Sequence, residues 1–287
     1  MEKETNTLQE VIDRGYDSLA AKGRLLATYV LSNPDKAVFM TTRQLAAAVG
    51  TSEATVIRFV RQLGFKSYAL FISALRDLID RKLTLIERGN IRPPVKSGDD
   101  EELLRLVHQD VDDISAMQKG VDLGVAKEVR ELLKTASQVY VIGARLSFSS
   151  AHYLGWTLSK IRSNVTILNG SDSTAMDRMV FAPGGSLVVL IATSRYPNEL
   201  IRLGKIARRQ NMKQVLITDS TACPLAQFSD RVLVAPQQSI PFLGNPVSII
   251  SLIHYLLHTL ASGMGDGLKA HQEQLEKAYM ENDTWFN

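Results

Sequence analysis

Two sets of residues have the types and spacing for chemistry, and both chemistries are of holding. The first is Arg43, Gln44, Thr51, Ser52, Glu53, Thr55, Arg58, Arg61 and Lys66. Short hydroxyls, amides and carboxylates hydrogen-bond base edges, while guanidinium and ammonium groups neutralise phosphates, so this mixture suits double-stranded DNA. On that reading Ser52, Glu53, Thr55 and Arg58 meet base edges or nearby phosphates, and Arg43, Gln44, Arg61 and Lys66 position the backbone. The second set is Arg145, Ser147 and Ser149 with Ser194, Arg195 and Tyr196. Hydroxyls beside two guanidinium forks suit an anion.

Bond-making chemistry has thinner support. Glu199 and His152 are the only general bases near the second set, and each falls inside a helical stretch where a solvent-facing or core role is ordinary. His254 and His258 stand four apart, the spacing of a metal pair, but no carboxylate or Cys accompanies them. Cys223 is the only cysteine, so no internal disulfide and no thiolate cluster can form. We expect no catalytic residue, no metal and no cofactor.

The elements that must position the first set are two short helices around a glycine. Thr41 or Thr42 caps the first, whose apolar face is Leu45, Ala46 and Val49. Gly50 permits the left-handed backbone of a turn. Ser52 caps the second, with Val56, Ile57, Val60 and Leu63 facing inward and Gly64 closing it. This is a helix-turn-helix whose outer face is polar at its start and basic further on, the form that enters a major groove. Leu8, Val11, Ile12, Leu19, Leu25, Leu26, Tyr29, Val30 and Leu31 place two helices before it, and Asn33-Pro34 ends that run. Phe71, Leu75, Leu78, Ile79, Leu83 and Ile86 form an amphipathic helix after it. Phe59, Phe65 and Tyr68 read as bundle core rather than base-stacking groups.

Charge agrees with this placement. The net charge is only +3, but residues 1–88 hold 13 Lys or Arg against 10 Asp or Glu, while the rest hold 20 of each. The entire excess lies with the helix-turn-helix, where Arg43, Arg58, Arg61, Lys66 and Arg76 oppose Glu53 alone.

A chain of 287 residues suggests two domains. Gly89 to Asp100, with two prolines, has the composition of a linker, which gives a helix-turn-helix domain at 1–88, a linker at 89–100 and a second domain at 101–287. There the pattern becomes apolar strands alternating with helices: Gln138–Gly143, Val165–Leu168, Ser186–Ala192, Val215–Thr218 and Arg231–Ala235. Helices run over Ser147–Ile161 and Asn198–Asn211. Such alternation means an α/β domain with a five-stranded parallel sheet covered on both faces. Ligands bind at the carboxyl ends of such strands, which here are Gly143–Ser150, Ala192–Asn198 and Thr218–Thr221. Asp172, Ser173 and Asp177 follow the second strand and fit either that pocket or a plain turn. The apolar run Val247 to Ala261 falls short of the ~20 residues that cross a bilayer and reads as a buried or interface helix. No basic, apolar leader opens the chain, so the expected location is cytoplasmic, with no membrane partner.

The run Leu45-Ala-x-x-x-Gly-Thr-Ser-Glu-Ala-Thr-Val-x-Arg-Phe-x-Arg-x-Leu-Gly-Phe65, followed by this five-stranded domain, resembles the RpiR/MurR family of bacterial transcriptional regulators. The resemblance spans roughly residues 5 to 265. It implies a sugar isomerase (SIS) domain, a flavodoxin-like α/β sandwich, joined to the all-α helix-turn-helix domain. It also implies a homodimer or homotetramer that binds operator DNA and responds to a metabolite, typically a sugar phosphate. The chain departs from the family in both loops. The first usually runs Gly-x-Gly-x-Ser and here reads Gly143-Ala-Arg145-Leu-Ser147. The second usually runs Ser-x-Ser-Gly-x-Thr and here reads Ala192-Thr-Ser194-Arg195-Tyr196-Pro197. Arginine at both glycine positions crowds the backbone amides that would wrap a phosphate. Two readings stay open: guanidinium forks replace the amide cradle and select a carboxylate, sulfonate or differently placed phosphate, or the domain only dimerises. A sugar-phosphate isomerase is the enzyme alternative, and it leaves the amino-terminal helices without a role.

Overall fold

The computed structural model describes residues 8–38, 40–82, 98–170, 172–193, 196–236, 244–282 and 284. It divides into two compact units, the helices up to 102 and the α/β fold from 103 onward. Ser194, Arg195, Leu83, Ile86, the 89–97 part of the linker and residues 239–243 lie outside the described residues, as does the Arg76 side chain.

In the first unit α1 spans Leu8–Gly15, α2 Ala21–Ser32, α3 Pro34–Ala37, α4 Thr42–Val49, α5 Glu53–Gln62 and α6 Tyr68–Lys82. Ile12, Leu26, Leu45, Val56, Phe59, Phe71 and Leu75 are sealed in one core. Phe71 is its hub: the rings of Phe59 and Phe65 meet it edge-on at 5.7 Å, and Tyr68 lies tilted at 6.0 Å. Three details differ from the sequence reading. Pro34 does not simply end the helical run but opens α3 at its first position, where a missing N–H costs nothing and φ is already set. Ile57 is only half-buried, and Phe59 takes the inward place because its ring reaches the α6 aromatics. Leu25 is half-exposed, since Leu26 and Val30 already fill the inner face of α2.

α7, Asp99–Gly120, starts before the unit boundary at 102 and ends in the second unit, which continues with α8 Leu123–Thr135, β1 Val139–Gly143, α9 Ser147–Leu158, β2 Val165–Asn169, α10 Thr174–Val180, β3 Leu187–Ala192, α11 Asn198–Arg209, β4 Lys213–Thr218, β5 Arg231–Val234, α12 Val247–Ser262 and α13 Asp266–Glu281. Asp99 and Asp100, expected in the linker, are already helical, because Asp99, Asp100, Glu101 and Glu102 in the first turn face the positive end of the helix dipole.

The five strands run parallel in the order β2-β1-β3-β4-β5. Side chains alternate across the sheet, so one apolar run fills two cores. Val139, Val141, Val189, Ile191 and Val215 face α8, α9 and α12. Tyr140, Ile142, Val188, Leu190 and Leu216 face α10 and α11. β1 and β3 are buried along their whole lengths, which is why they carry almost no polar side chain. The exception in the neighbouring β4 is Gln214, fully buried, whose side-chain amide has no hydrogen-bond partner among the described residues. Among the described residues no single helix is long and apolar enough to cross a membrane.

Candidate functional site

The helix-turn-helix is fastened at both helix starts. Thr41 Oγ1 accepts from the Gln44 amide at 3.2 Å while the Thr41 amide donates to Gln44 Oε1 at 2.8 Å, a reciprocal capping box. Gly50 ends α4 at φ 64° and ψ 48°, the left-handed conformation that glycine adopts without a Cβ clash. Ser52 Oγ accepts from the Thr55 amide at 3.3 Å and lies 3.0 Å from Thr55 Oγ1. Thr42 Oγ1 donates to Glu53 Oε2 at 2.6 Å, tying the first turn of α4 to the first turn of α5.

These bonds sort the expected DNA-facing residues. Arg43, Arg58, Arg61 and Lys66 stand exposed on the motif, with Thr51 and Thr55 half-buried beside them. Gln44 Oε1, Ser52 Oγ and the Glu53 carboxylate are each engaged within the protein. Their geometry is that of caps and braces, which residue type and spacing announce only for Ser52.

Sequence reasoning missed Lys22. From α2 its Nζ donates to the Gly50 carbonyl at 3.0 Å, fixing the turn from outside the motif. The spacing of apolar residues locates α2 but says nothing of where an exposed lysine lands 28 residues away.

In the second unit the order β2-β1-β3 means that the chain winds outward in opposite directions from β1 and β3, so the loops after these two strands part and leave a crevice. Gly143 ends β1 so close beneath α9 that a Cβ there would collide with the Ser147 carbonyl carbon at 2.7 Å. Arg145 follows at φ 53°, keeping a backbone shape natural to glycine despite its side chain, which is exposed. Ser147 is buried, accepts from the Thr193 amide at 3.2 Å and lies 2.9 Å from Thr193 Oγ1. The two loops are thereby stitched together across the crevice.

The cleft is narrow, with about 20 Å³ of interior space, room for about one water, and is lined by Leu146, Ser147, Ser150, Thr193 and Gly244 to Pro246. Asn245 is held by Asp110, to whose Oδ1 its Nδ2 donates at 2.6 Å, and its Oδ1 accepts from the Val247 amide at 3.0 Å.

Of the described members of the expected anion-holding set, Arg145, Ser147, Ser149 and Tyr196, Ser147 lines the cleft. Ser149 is exposed and donates back to the Leu146 carbonyl at 2.7 Å, as hydroxyls in a first helical turn do. Tyr196 leans over β4, its hydroxyl donating to Asp219 Oδ1 at 3.1 Å. Ser150, Thr193 and Asn245 belong to the cleft instead. The polar run Ser147 to Ser150 signalled Ser150, but helix phase rather than residue type decides which serine turns inward.

Asp172 and Ser173 line a separate groove between α10 and α11, and Asp172 Oδ1 accepts from the Thr174 amide at 2.9 Å, so the turn reading was the apt one. Glu199 lines the same groove. His152 is exposed beside Phe148, and His254 and His258 are exposed on α12 with rings 6.4 Å apart. Among the described residues no three His, Cys, Asp or Glu converge for a metal.

A braced helix-turn-helix on a helical bundle, followed by a doubly wound parallel sheet with a crevice between β1 and β3, defines a two-domain DNA-binding regulator. Residues 6–82 match the helix-turn-helix domain of the rpiR family and residues 132–263 match the SIS domain; the chain belongs to the RpiR family of transcriptional regulators. An HTH-type transcriptional regulator of Haemophilus influenzae is 24% identical over 90% of this chain and 91% of its own. The regulator HexR of Pseudomonas aeruginosa is 25% identical over 90% of this chain and 89% of its own. The solved structure of Vibrio vulnificus NanR complexed with ManNAc-6P shares the fold, at 21% identity and a TM-score of 0.58, over 94% of this chain and 98% of that one.

Proposed function

We propose that this regulator reads operator DNA with α5 and that an anionic metabolite at the β1–β3 crevice, a sugar phosphate or related organic acid, sets its DNA affinity. Arg58 and Arg61 on the exposed side of α5, with Arg43 and Lys66 flanking it, supply base and phosphate contacts. The observation that carries the effector assignment is the Ser147–Thr193 stitch. It holds a hydroxyl pair and the first turn of α9 at the topological switch point, where helix amides favour an anion. That the NanR structure contains ManNAc-6P supports a phosphosugar as the class to try first. Ligand that draws the two loops together favours one arrangement of the paired DNA-reading helices over another and so shifts affinity by linkage. The set of groups at the crevice is one for holding, with Glu199 and His152 both placed elsewhere, which favours a regulator over an isomerase.

The test is fluorescence anisotropy of the full-length protein on the inverted repeats upstream of its own gene and its neighbours. N-acetylmannosamine 6-phosphate, glucose 6-phosphate and citrate are titrated in turn. One of these anions should change the DNA dissociation constant at least about tenfold, the scale of ordinary allosteric coupling. Tight DNA binding indifferent to every anion would overturn the effector half and leave the DNA half standing.

A further inference from the structure

Glu53 is out of keeping with the charge around it. Residues 41–76 carry five cations, Arg43, Arg58, Arg61, Lys66 and Arg76, and Glu53 is their one acid. It stands exposed in the first turn of α5, the helix proposed to enter the major groove. A carboxylate there is repelled by the phosphates of any duplex, so it lowers affinity for DNA of every sequence alike.

Two effects oppose that repulsion. The first is local: the positive end of α5 favours an acid in its first turn, and Thr42 Oγ1 donates to Glu53 Oε2 at 2.6 Å. Both are present whatever the DNA sequence. The second depends on the base. G offers a carboxylate only the acceptors O6 and N7, T offers O4 and a methyl group, and A sets an N7 acceptor beside its N6 donor. C offers the N4 amino donor, which a carboxylate accepts well.

The first turn of α5 leaves Glu53 equipped for that bond. Ser52 Oγ accepts from the Thr55 amide and lies 3.0 Å from Thr55 Oγ1, so those two hydroxyls are turned to each other. A carboxylate has about four lone-pair sites, and the Thr42 hydroxyl takes one of them. The same bond holds a long side chain in one rotamer, so its conformational freedom is lost on folding rather than at the DNA.

We infer that Glu53, held in place by Thr42, accepts from the N4 amino group of one cytosine where α5 enters the groove, and so selects a C·G pair there. The inference rests on α5 as the DNA-reading helix and adds the base that it chooses. Arg58 and Arg61 supply attraction, Glu53 supplies discrimination, and Thr42 is its positioning residue.

Binding of the full-length protein to duplexes with a randomised central region, with the bound fraction sequenced, reads the preference at each base pair. The wild type should favour C·G about tenfold at one position for each α5 engaged. Glu53→Ala should lose that preference alone and bind a random duplex more tightly than the wild type does. Glu53→Gln keeps an acceptor for Thr42 and should move the preference at that position to A·T, since a glutamine amide pairs with adenine N6 and N7. Thr42→Val should weaken the same preference about threefold and leave the other positions alone. Circular dichroism confirms folding of each variant. Base preferences of Glu53→Ala identical to those of the wild type would make Glu53 a brace only, and loss of preference at every position together would make it a support for the whole helix; either overturns the inference. A Thr42→Val variant with the C·G preference at full strength would overturn the positioning role. A wild type that selects no sequence would overturn the DNA reading of α5 itself, and this inference with it.

Discussion

The Ser147 hydroxyl accepts the Thr193 backbone amide at 3.2 Å, joining the loop after β1 to the loop after β3 through a single side chain. Both groups are at least partly removed from water, so deleting the hydroxyl leaves a donor stranded. Ser147→Ala should cost about 1–2 kcal/mol in thermal or urea denaturation and weaken any anion that binds the crevice. An unchanged midpoint would mean that water replaces the stitch at no cost.

Arg145 separates strain from binding. At φ 53° it holds a conformation that costs a non-glycine residue roughly 1 kcal/mol, so Arg145→Gly should leave stability equal or raise it by about that much. If its guanidinium grips the effector, the same variant loses anion affinity while melting higher. Loss of both together would show that the side chain serves the fold.

Gln214 offers a stabilising change. Its amide is fully buried without a partner among the described residues, and such a group carries a desolvation cost of about 1–3 kcal/mol. Gln214→Met, similar in volume, should raise the denaturation midpoint of the α/β domain. A lower midpoint would reveal that the amide is satisfied in solution.

On DNA, Arg58→Ala should weaken specific binding by about 1–3 kcal/mol if the guanidinium reads a base. Arg43→Ala and Arg61→Ala should instead weaken all sequences alike and lower the slope of log affinity against log salt by about one each. Anisotropy titrations at several salt concentrations, on operator and scrambled duplexes, distinguish the two patterns.

Tyr68 makes the helical domain sensitive to alkali. Burial pushes its phenol up from 10.0 to about 12, and its hydroxyl donates to the Met40 carbonyl at 2.9 Å. Because the folded value lies above the unfolded one, the neutral phenol's contribution is complete below about pH 10 and drains away as pH climbs towards 12. Tyr68→Phe should cost about 1 kcal/mol at neutral pH yet flatten the loss of stability across that alkaline window. Denaturation of both proteins at several pH values reads the difference.

Much of this architecture is legible from sequence because its signals are local. Apolar runs of β-branched residues marked all five strands, and Thr41, Gly50 and Ser52 marked the motif by cap and turn chemistry that acts within four residues. What escaped depends on helix phase or distance. Ser149 and Ser150 are adjacent and alike, yet the α9 rotation turns only Ser150 into the cleft. Gln44 and Glu53 have the types of DNA-reading residues, but a capping box and a bond from Thr42 give them internal duties. Asn245 reaches Asp110 across 135 residues, a pairing that no periodicity announces.

The bond from Lys22 to the Gly50 carbonyl bears on how such regulators can be re-engineered. A graft of residues 41–65 onto another scaffold would carry α5 but leave behind the lysine that bonds the turn before it. Chimeras meant to retarget this protein should exchange the block from α2 through α5 as one module, choosing the junctions at Leu19 and Gly64, where the polypeptide already changes direction.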